Sequence, residues 1–446
     1  MATVALWDTR HNDAQKDFAG GMGVGMHPGA GGLRGRIVRM MYRRDYRPVA
    51  MNFAYAAAVL GRMGHQVRYL EDRLEPADVY LFNPSLLTLD RELEVIGQVK
   101  TRYPEARILV AGAVAWALTD LFVRAGGIVL RGEIEQLEHH WDTLLEGKQH
   151  RVDVGSVAEL DSLPFPDWSL FSWKRFRVKY DFWRFPTAFI QQSRGCTFKC
   201  NYCPYIMIES KTRFRSPQSV LEEIRYGQKR YGFESFKFRD PLFGLNRKKA
   251  IELAEGIARL PKRIQFSVET RIDLMKQETL QALRDAGLTA ITVGIETPSE
   301  ETLKRYSRQP ICDDRQREFV IRCREMGIRT VAGFMVGFPE DTEESITAVM
   351  DYARRVNPTF ANFNIVTPYP GTGFHALAED QIDDFDYSRY SVYQPVMRYQ
   401  NLTPRQVTRL HARCFNKFYF RSRYFSDNAR LLWPQLQRFE GARRAA

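Results

Sequence analysis

Short apolar runs alternating with helical patterns constrain this 446-residue chain more than any other feature. The alternation occurs in two blocks. In the first, residues 4–7, 67–70, 79–82, 108–111 and 128–130 are apolar and of strand length, while residues 52–63, 90–102 and 116–124 carry helical periodicity. Runs that are apolar throughout suit strands buried on both faces, as in parallel sheets. Residues 1–150 thus read as a doubly wound, Rossmann-like α/β domain. In the second block, residues 189–193, 236–239, 264–268, 290–295, 331–336 and 360–366 alternate with helical stretches at 217–231, 248–260, 277–286 and 343–355, and with another ending at Met326-Gly327. Six βα units predict an open parallel (βα)6 barrel over residues 187–375. The linker between the blocks, 151–186, contains Pro164 and Pro166, which exclude a helix there. Residues 376–446 read as a basic, mostly helical extension.

A connection of roughly 40 residues separates the first strand from its helix, and loops of that length in a compact domain are usually functional or disordered. It contains Gly20-Gly21-Met22-Gly23-Val24-Gly25 and Gly29-Ala30-Gly31-Gly32. No strand directly precedes these glycines and no helix directly follows, so they form no dinucleotide fingerprint. The segment is expected to be a flexible loop that folds over a ligand.

The strongest chemical signal lies at the end of the first barrel strand, in Arg194-Gly195-Cys196-Thr197-Phe198-Lys199-Cys200-Asn201-Tyr202-Cys203-Pro204. With six cysteines in the chain, chance yields this C-x3-C-x2-C spacing on the order of once in a thousand such sequences. Three thiolates so close in sequence wrap one face of a compact cluster. A [4Fe–4S] cluster normally takes four, and three leave one iron open, as a catalytic metal needs. A zinc site is the alternative; it wants a further close pair of Cys or His, which Cys312, Cys323 and Cys414 do not supply. Those three are expected to be buried small hydrophobes.

A hydrophobic content of 44% with 26% charged residues is that of an ordinary globular protein. The N-terminus lacks a basic stretch followed by an apolar core, no run approaches membrane-spanning length, and the cysteines are clustered. A cytoplasmic, reducing location without a membrane span is expected. Net charge is +12, and residues 401–446 hold ten Lys or Arg against Asp427 and Glu440. No nucleic-acid motif accompanies this charge, so a solvated surface is the preferred reading and nucleic acid is not expected as a partner. Phe415, Phe418, Tyr419, Phe420, Tyr424 and Phe425 are open to two readings, base stacking or packing of the tail on its own domain.

The cysteine spacing, with Tyr202 just before the last Cys, resembles the radical S-adenosylmethionine superfamily. The resemblance extends over residues 187–372. Gly294-Ile295-Glu296-Thr297 is similar to the segment that contacts the ribose there, and Gly333-Phe334-Met335-Val336-Gly337-Phe338-Pro339-Glu340 to the one bordering the adenine. Pro368-Tyr369-Pro370-Gly371-Thr372 resembles a segment after the sixth strand. Where many members carry Gly-Gly-Glu after the second strand, this chain has Phe238-Arg239-Asp240-Pro241. Asp240-Pro241-Leu242-Phe243 resembles instead the cobalamin-binding subgroup that includes the anaerobic protoporphyrin-ester cyclase; a helix cap near Asn246 is the other reading of Asp240.

The first block resembles the cobalamin-binding domain of that subgroup through residues 52–67, Val110-Ala111-Gly112 and Gly132-Glu133-Ile134-Glu135. Its cobalt-ligating D-x-H-x-x-G is absent. Ser85-Leu86-Leu87-Thr88 resembles the segment around the nucleotide tail, and Gly112-Ala113 replaces an expected Gly-Gly pair. The resemblance implies a [4Fe–4S] cluster on Cys196, Cys200 and Cys203, S-adenosylmethionine bound by Tyr202, Asp240, Glu296, Gly333 and Gly337, and cobalamin at Ser85, Leu87, Gly112 and Glu133. It further implies reductive cleavage to a 5′-deoxyadenosyl radical that functionalises an unactivated carbon, by cobalamin-dependent C-methylation in a biosynthetic pathway, with cobalamin-free cyclisation or oxidation, and after these RNA modification, as the alternatives. The partners implied are a small-molecule or lipid-like substrate and a low-potential electron donor of flavodoxin or ferredoxin type.

Overall fold

A computed structural model describes residues 1–9, 14–16, 18–25, 36, 49–178, 186–206 and 211–429. Sixteen strands are named in chain order. They are β1 (Thr3–Trp7), β2 (Ala14–Gln15), β3 (Val24–Gly25), β4 (Gln66–Leu70), β5 (Val79–Phe82), β6 (Arg107–Val110), β7 (Ile128–Gly132) and β8 (Arg151–Gly155). The second half adds β9 (Thr187–Ile190), β10 (Ser193–Arg194), β11 (Arg213–Phe214), β12 (Ser235–Phe238), β13 (Gln265–Thr270), β14 (Leu288–Glu296), β15 (Arg329–Val336) and β16 (Phe360–Ile365).

Two six-stranded sheets, parallel throughout, carry the fold. The first has the order β4-β1-β5-β6-β7-β8, doubly wound, with its switch point between β1 and β5. The second runs β16-β15-β14-β13-β12-β9 in a curve that does not close. All four residues of β5, β9 and β12 are buried, as strands covered on both faces must be. Local chemistry fixes the helices. Pro217–Tyr231 starts with Ser216 accepting from the Ser219 amide at 3.1 Å and with Pro at its first position. It stops at Gly232 in the left-handed region.

Several expectations need correction. The first sheet continues past residue 150 into β8, whose exposed–buried alternation lacks the apolar run of its neighbours, so the linker begins after Gly155. The helix expected over 116–124 is broken at Leu118 into Ala113–Ala117 and Thr119–Arg124. Residues 14–16 and 18–25 form a small hairpin, β2–β3, with a defined seat rather than a free loop; Gly29 to Gly32 lie outside the described residues. Cys312 is exposed at the start of Asp313–Glu325, while Cys323 and Cys414 are buried.

Within the extension, residues 378–403 hold only two 3₁₀ turns and a bridge, Pro404–Tyr419 is a helix, and residues 422–429 are helical again. The Pro404–Tyr419 helix covers the open edge of the barrel sheet. The Tyr419 hydroxyl accepts from the Ala361 amide at 3.0 Å and donates to its carbonyl at 2.8 Å. Tyr424 donates to the Thr359 carbonyl, His411 Nε2 bonds the Phe363 carbonyl at 2.9 Å, and the Ile365 amide finds Val392. Alternate backbone groups of β16 are thereby satisfied, which an uncovered edge strand cannot achieve. Phe415, Phe418, Tyr419 and Tyr424 are buried in this contact, which selects packing over base stacking for them; Phe425 is exposed.

Candidate active site

The cysteine loop leaves β9 and β10 at the C-terminal end of the barrel sheet, where βα barrels assemble their sites. Gly195 turns the chain at φ +99°, and a Cβ there would meet the Lys211 carbonyl oxygen at 2.4 Å, so only glycine fits. The loop is held from outside by the Asn201 amide on the Tyr306 carbonyl (3.0 Å) and the Phe374 amide on the Asn201 carbonyl (2.9 Å). All three cysteines are half-buried residues. Burial pushes the Cys196 thiol up and the Cys203 thiol to about 12, so both need cationic company to ionise.

That company is Arg308. Its guanidinium sits close enough to Cys200 to interact with it electrostatically, donates to the Gly294 carbonyl at 2.8 Å and pairs with Glu296 at 3.2 Å. Glu296 is the buried end of β14, held at φ +71°. Burial raises its carboxyl, opposed by Arg308 and Arg271. Tyr202 is buried between this pair and Phe338, with its hydroxyl lacking a hydrogen-bond partner. Cys200, Cys203, Tyr202 and Glu296 are therefore brought together around Arg308. Arg308 carries no sequence signal, because its role depends on a return from the 300–305 helix that no local pattern encodes.

Gly333 pairs in register with Gly294 on β14, and the Gly337 and Phe338 amides donate to Asp341 at 2.7 and 2.9 Å. Asp240 behaves differently from expectation. It is fully buried, and its carboxylate accepts from the Gln192 amide at 3.1 Å, the Ser193 amide at 2.5 Å and the Ser193 hydroxyl at 2.6 Å. Burial raises its carboxyl to about 6, against those three donors. Its place is behind the cysteine loop, fixing β10, and Asn246 rather than Asp240 caps the next helix.

The two sheets point their C-terminal ends at each other across a cavity of about 240 Å³. Asn52, Tyr55, Asn83, Gly112 and Glu133 line one side, and Gln191, Arg194, Gly195 and Arg239 the other. Ion pairs close its rim. Arg194 reaches Glu135 at 2.6 Å and Glu133 at 3.4 Å, and lies 5.2 Å over the Tyr55 ring. Arg213 pairs with Glu133 at 2.7 Å. Burial opposes the charge on Glu133, yet Arg213 and Arg194 outweigh it and hold the carboxyl below its usual range. Glu133 thus serves the domain contact. On the barrel side, Glu269 pairs with Arg239 at 2.7 Å and Lys237 at 3.0 Å.

The donor set fits a cluster: three thiols on one loop, with a guanidinium beside them. Among the described residues, no three Cys, His, Asp or Glu converge on the position of one metal ion; a [4Fe–4S] cube takes each thiolate on a separate iron. For cobalamin the fit is divided. Amides and backbone polar groups line the cavity, matching an amide-fringed ring. Ser85 and Leu87, however, do not line it: Ser85 is buried, bonds Thr88 at 2.9 Å and is covered by Gly23.

Residues 190–353 match the model of the Radical SAM superfamily. This chain carries a Radical SAM domain. The domain covers the barrel from β9 into the Glu343–Val356 helix and implies a [4Fe–4S] cluster and S-adenosylmethionine. The chain is 30% identical over 274 residues to the anaerobic magnesium-protoporphyrin IX monomethyl ester cyclase of Cereibacter sphaeroides, covering 60% of this chain and 44% of that one. It is 26% identical over 268 residues to an uncharacterized methyltransferase of Pyrococcus horikoshii, covering 59% and 57%. The chain thus spans about half the length of these relatives. In fold it matches the radical S-adenosylmethionine methyltransferase TsrM of Kitasatospora setae, solved with cobalamin and a [4Fe-4S] cluster, with a TM-score of 0.61, 16% identity, and 85% and 74% coverage. Both halves, Rossmann-like sheet and barrel, share that architecture. No helix among the described residues is long and apolar enough to cross a membrane.

Proposed function

We propose that this chain is a radical enzyme that functionalises an unactivated carbon of a small-molecule substrate, by C-methylation with a corrinoid in the cavity between the two sheets. The observation that carries the reading is the placement of Cys196, Cys200 and Cys203 at the barrel mouth that faces a second parallel sheet's mouth across a cavity lined by both polar and apolar groups. When bound, the cluster with S-adenosylmethionine supplies a carbon-centred oxidant for C–H bonds, and a corrinoid supplies the methyl group. The chain's own residues bind, orient and shield. Arg308 holds positive charge against Cys200, and Glu296 and the Gly294 carbonyl hold Arg308. Asp240 fixes the strand entering the loop. The Arg194 and Arg213 pairs keep the mouths together, so reactive species meet protein rather than water.

A corrinoid-free radical cyclase or oxidase is the second reading. It is favoured by the cyclase relative and by a cavity below the about 300–1,000 Å³ usual for small-molecule sites. A low-potential electron donor and a location in the cytoplasm complete the proposal.

The test is anaerobic reconstitution with S-adenosylmethionine, dithionite and hydroxocobalamin, quantifying iron, 5′-deoxyadenosine and retained corrinoid. About four irons per chain, with 5′-deoxyadenosine and corrinoid, are expected. Iron and 5′-deoxyadenosine without corrinoid move the assignment to the cyclase or oxidase. Zinc without cleavage product overturns it.

A further inference from the structure

In doubly wound sheets, ligands enter the crevice at the C-terminal ends of the strands flanking the switch point. Here that crevice lies between the ends of β1 and β5, and the chain fills it with its own hairpin. Met22 is fully buried there among Trp7, Phe82, Leu86 and Ala113. Its carbonyl accepts from the Leu86 amide at 2.9 Å. Gly23 lies so close to Ser85 that a Cβ would sit 3.1 Å from the Ser85 Cβ. Lys16 anchors the hairpin: its ammonium reaches Asp8 at the end of β1 at 3.1 Å and the buried Glu92 at 2.5 Å. Other elements clamp the outer side. The Tyr369 hydroxyl donates to the Gly23 carbonyl at 3.1 Å, and the Gly25 amide donates to the Ser391 carbonyl at 3.1 Å. Gly20 packs against Pro204 of the cysteine loop.

We propose that this hairpin is a specificity strap. It bars the nucleotide arm of a corrinoid from the first sheet, so that the cavity recognises the corrin ring alone and is indifferent to the arm. The inference rests on the corrinoid reading above. Three features make the strap a built structure rather than a stray loop. It seats a fully buried apolar side chain, it satisfies a buried lysine with two carboxylates, and it contacts three separate parts of the chain. Burial of Met22 favours the seated strap and so opposes entry of the arm. The cavity beside it keeps Gly20 and Gly21 on its wall, so a ligand there meets the strap directly.

The experiment compares hydroxocobalamin with diaquacobinamide, which has the same ring and no nucleotide arm, on the anaerobically reconstituted full chain. Binding is read from corrinoid absorbance retained after gel filtration and from titration of tryptophan fluorescence. Iron content and 5′-deoxyadenosine are measured on the same samples, so that failure of the radical reading is seen separately. The wild type is expected to bind the two corrinoids within about threefold of each other. Met22→Ala and, as a second variant, Lys16→Ala unseat the strap and are expected to tighten hydroxocobalamin by about tenfold or more while leaving cobinamide unchanged. A wild type that prefers hydroxocobalamin by about tenfold or more overturns the proposal. So does a preference that neither variant moves, or retention of no corrinoid by any of the three proteins.

Discussion

The two sheets of this chain are built alike and use their C-terminal ends in opposite ways. Each is six-stranded and parallel, and each turns its mouth to the same crevice. At the barrel mouth the chain presents chemistry: three thiols, the Arg308–Glu296 pair and the Glu269 carboxylate between Arg239 and Lys237. At the switch point of the first sheet it presents a plug, Met22 with the Lys16 anchor. The edges differ too. The barrel's β16 is sealed by the Pro404–Tyr419 helix, whereas the first sheet's β8 alternates exposed and buried residues. Parallel architecture supplies a place for ligands at both mouths; loops decide which place stays open.

The comparison breaks most sharply at the cysteines. Cys196→Ala is expected to remove essentially all cluster iron and 5′-deoxyadenosine formation, while far-UV circular dichroism of both sheets persists. Loss of the dichroism signal would mean that the loop is structural and that the mouths do not differ in kind. Next in size is the bridge between them. Arg194→Met leaves the buried Glu135 carboxylate unpaired and is expected to cost about 3–5 kcal/mol in denaturant unfolding. A cost below about 1 kcal/mol, the level of an exposed pair, would show that the sheets are joined elsewhere.

His411 sharpens the contrast between the edges. Burial depresses its imidazole from 6.5 to about 4, so the unfolded chain takes up a proton before the folded one does. The contribution of His411 is expected to be fully present above about pH 6.5 and to be lost as pH drops from 6.5 toward 4, by about 3 kcal/mol in all. His411→Gln should flatten that part of the stability–pH profile; an unchanged profile would remove His411 from the edge seal. The smallest effect is expected at Cys312, exposed and outside both mouths. Cys312→Ser should change stability by no more than about 0.5 kcal/mol and leave iron content as it was.

Much of this was legible in the residues themselves. Apolar runs at 79–82 and 108–111 announced buried parallel strands because a strand covered on both faces has no room for polar alternation. The strand β8 carries no such run, because one of its faces is wet. The cysteine loop was legible because its three donors are local in sequence. Asp240 was found as a residue but not in its role, since the amides it binds, those of Gln192 and Ser193, lie about 48 residues upstream.

By itself the sequence determined the two blocks of βα units, the thiol cluster and its place at the end of the first barrel strand. These follow from periodicity and short-range spacing, which the chain carries with it before it folds. Tertiary structure alone decided that Arg308 reaches Cys200, that Glu133 and Glu135 bind the two halves through Arg194 and Arg213, and that Met22 closes the switch point. Each of these joins residues far apart in the chain. Their meeting is set by how two sheets and a hairpin pack, and a buried charge or methionine is stabilised only by the partners that packing delivers.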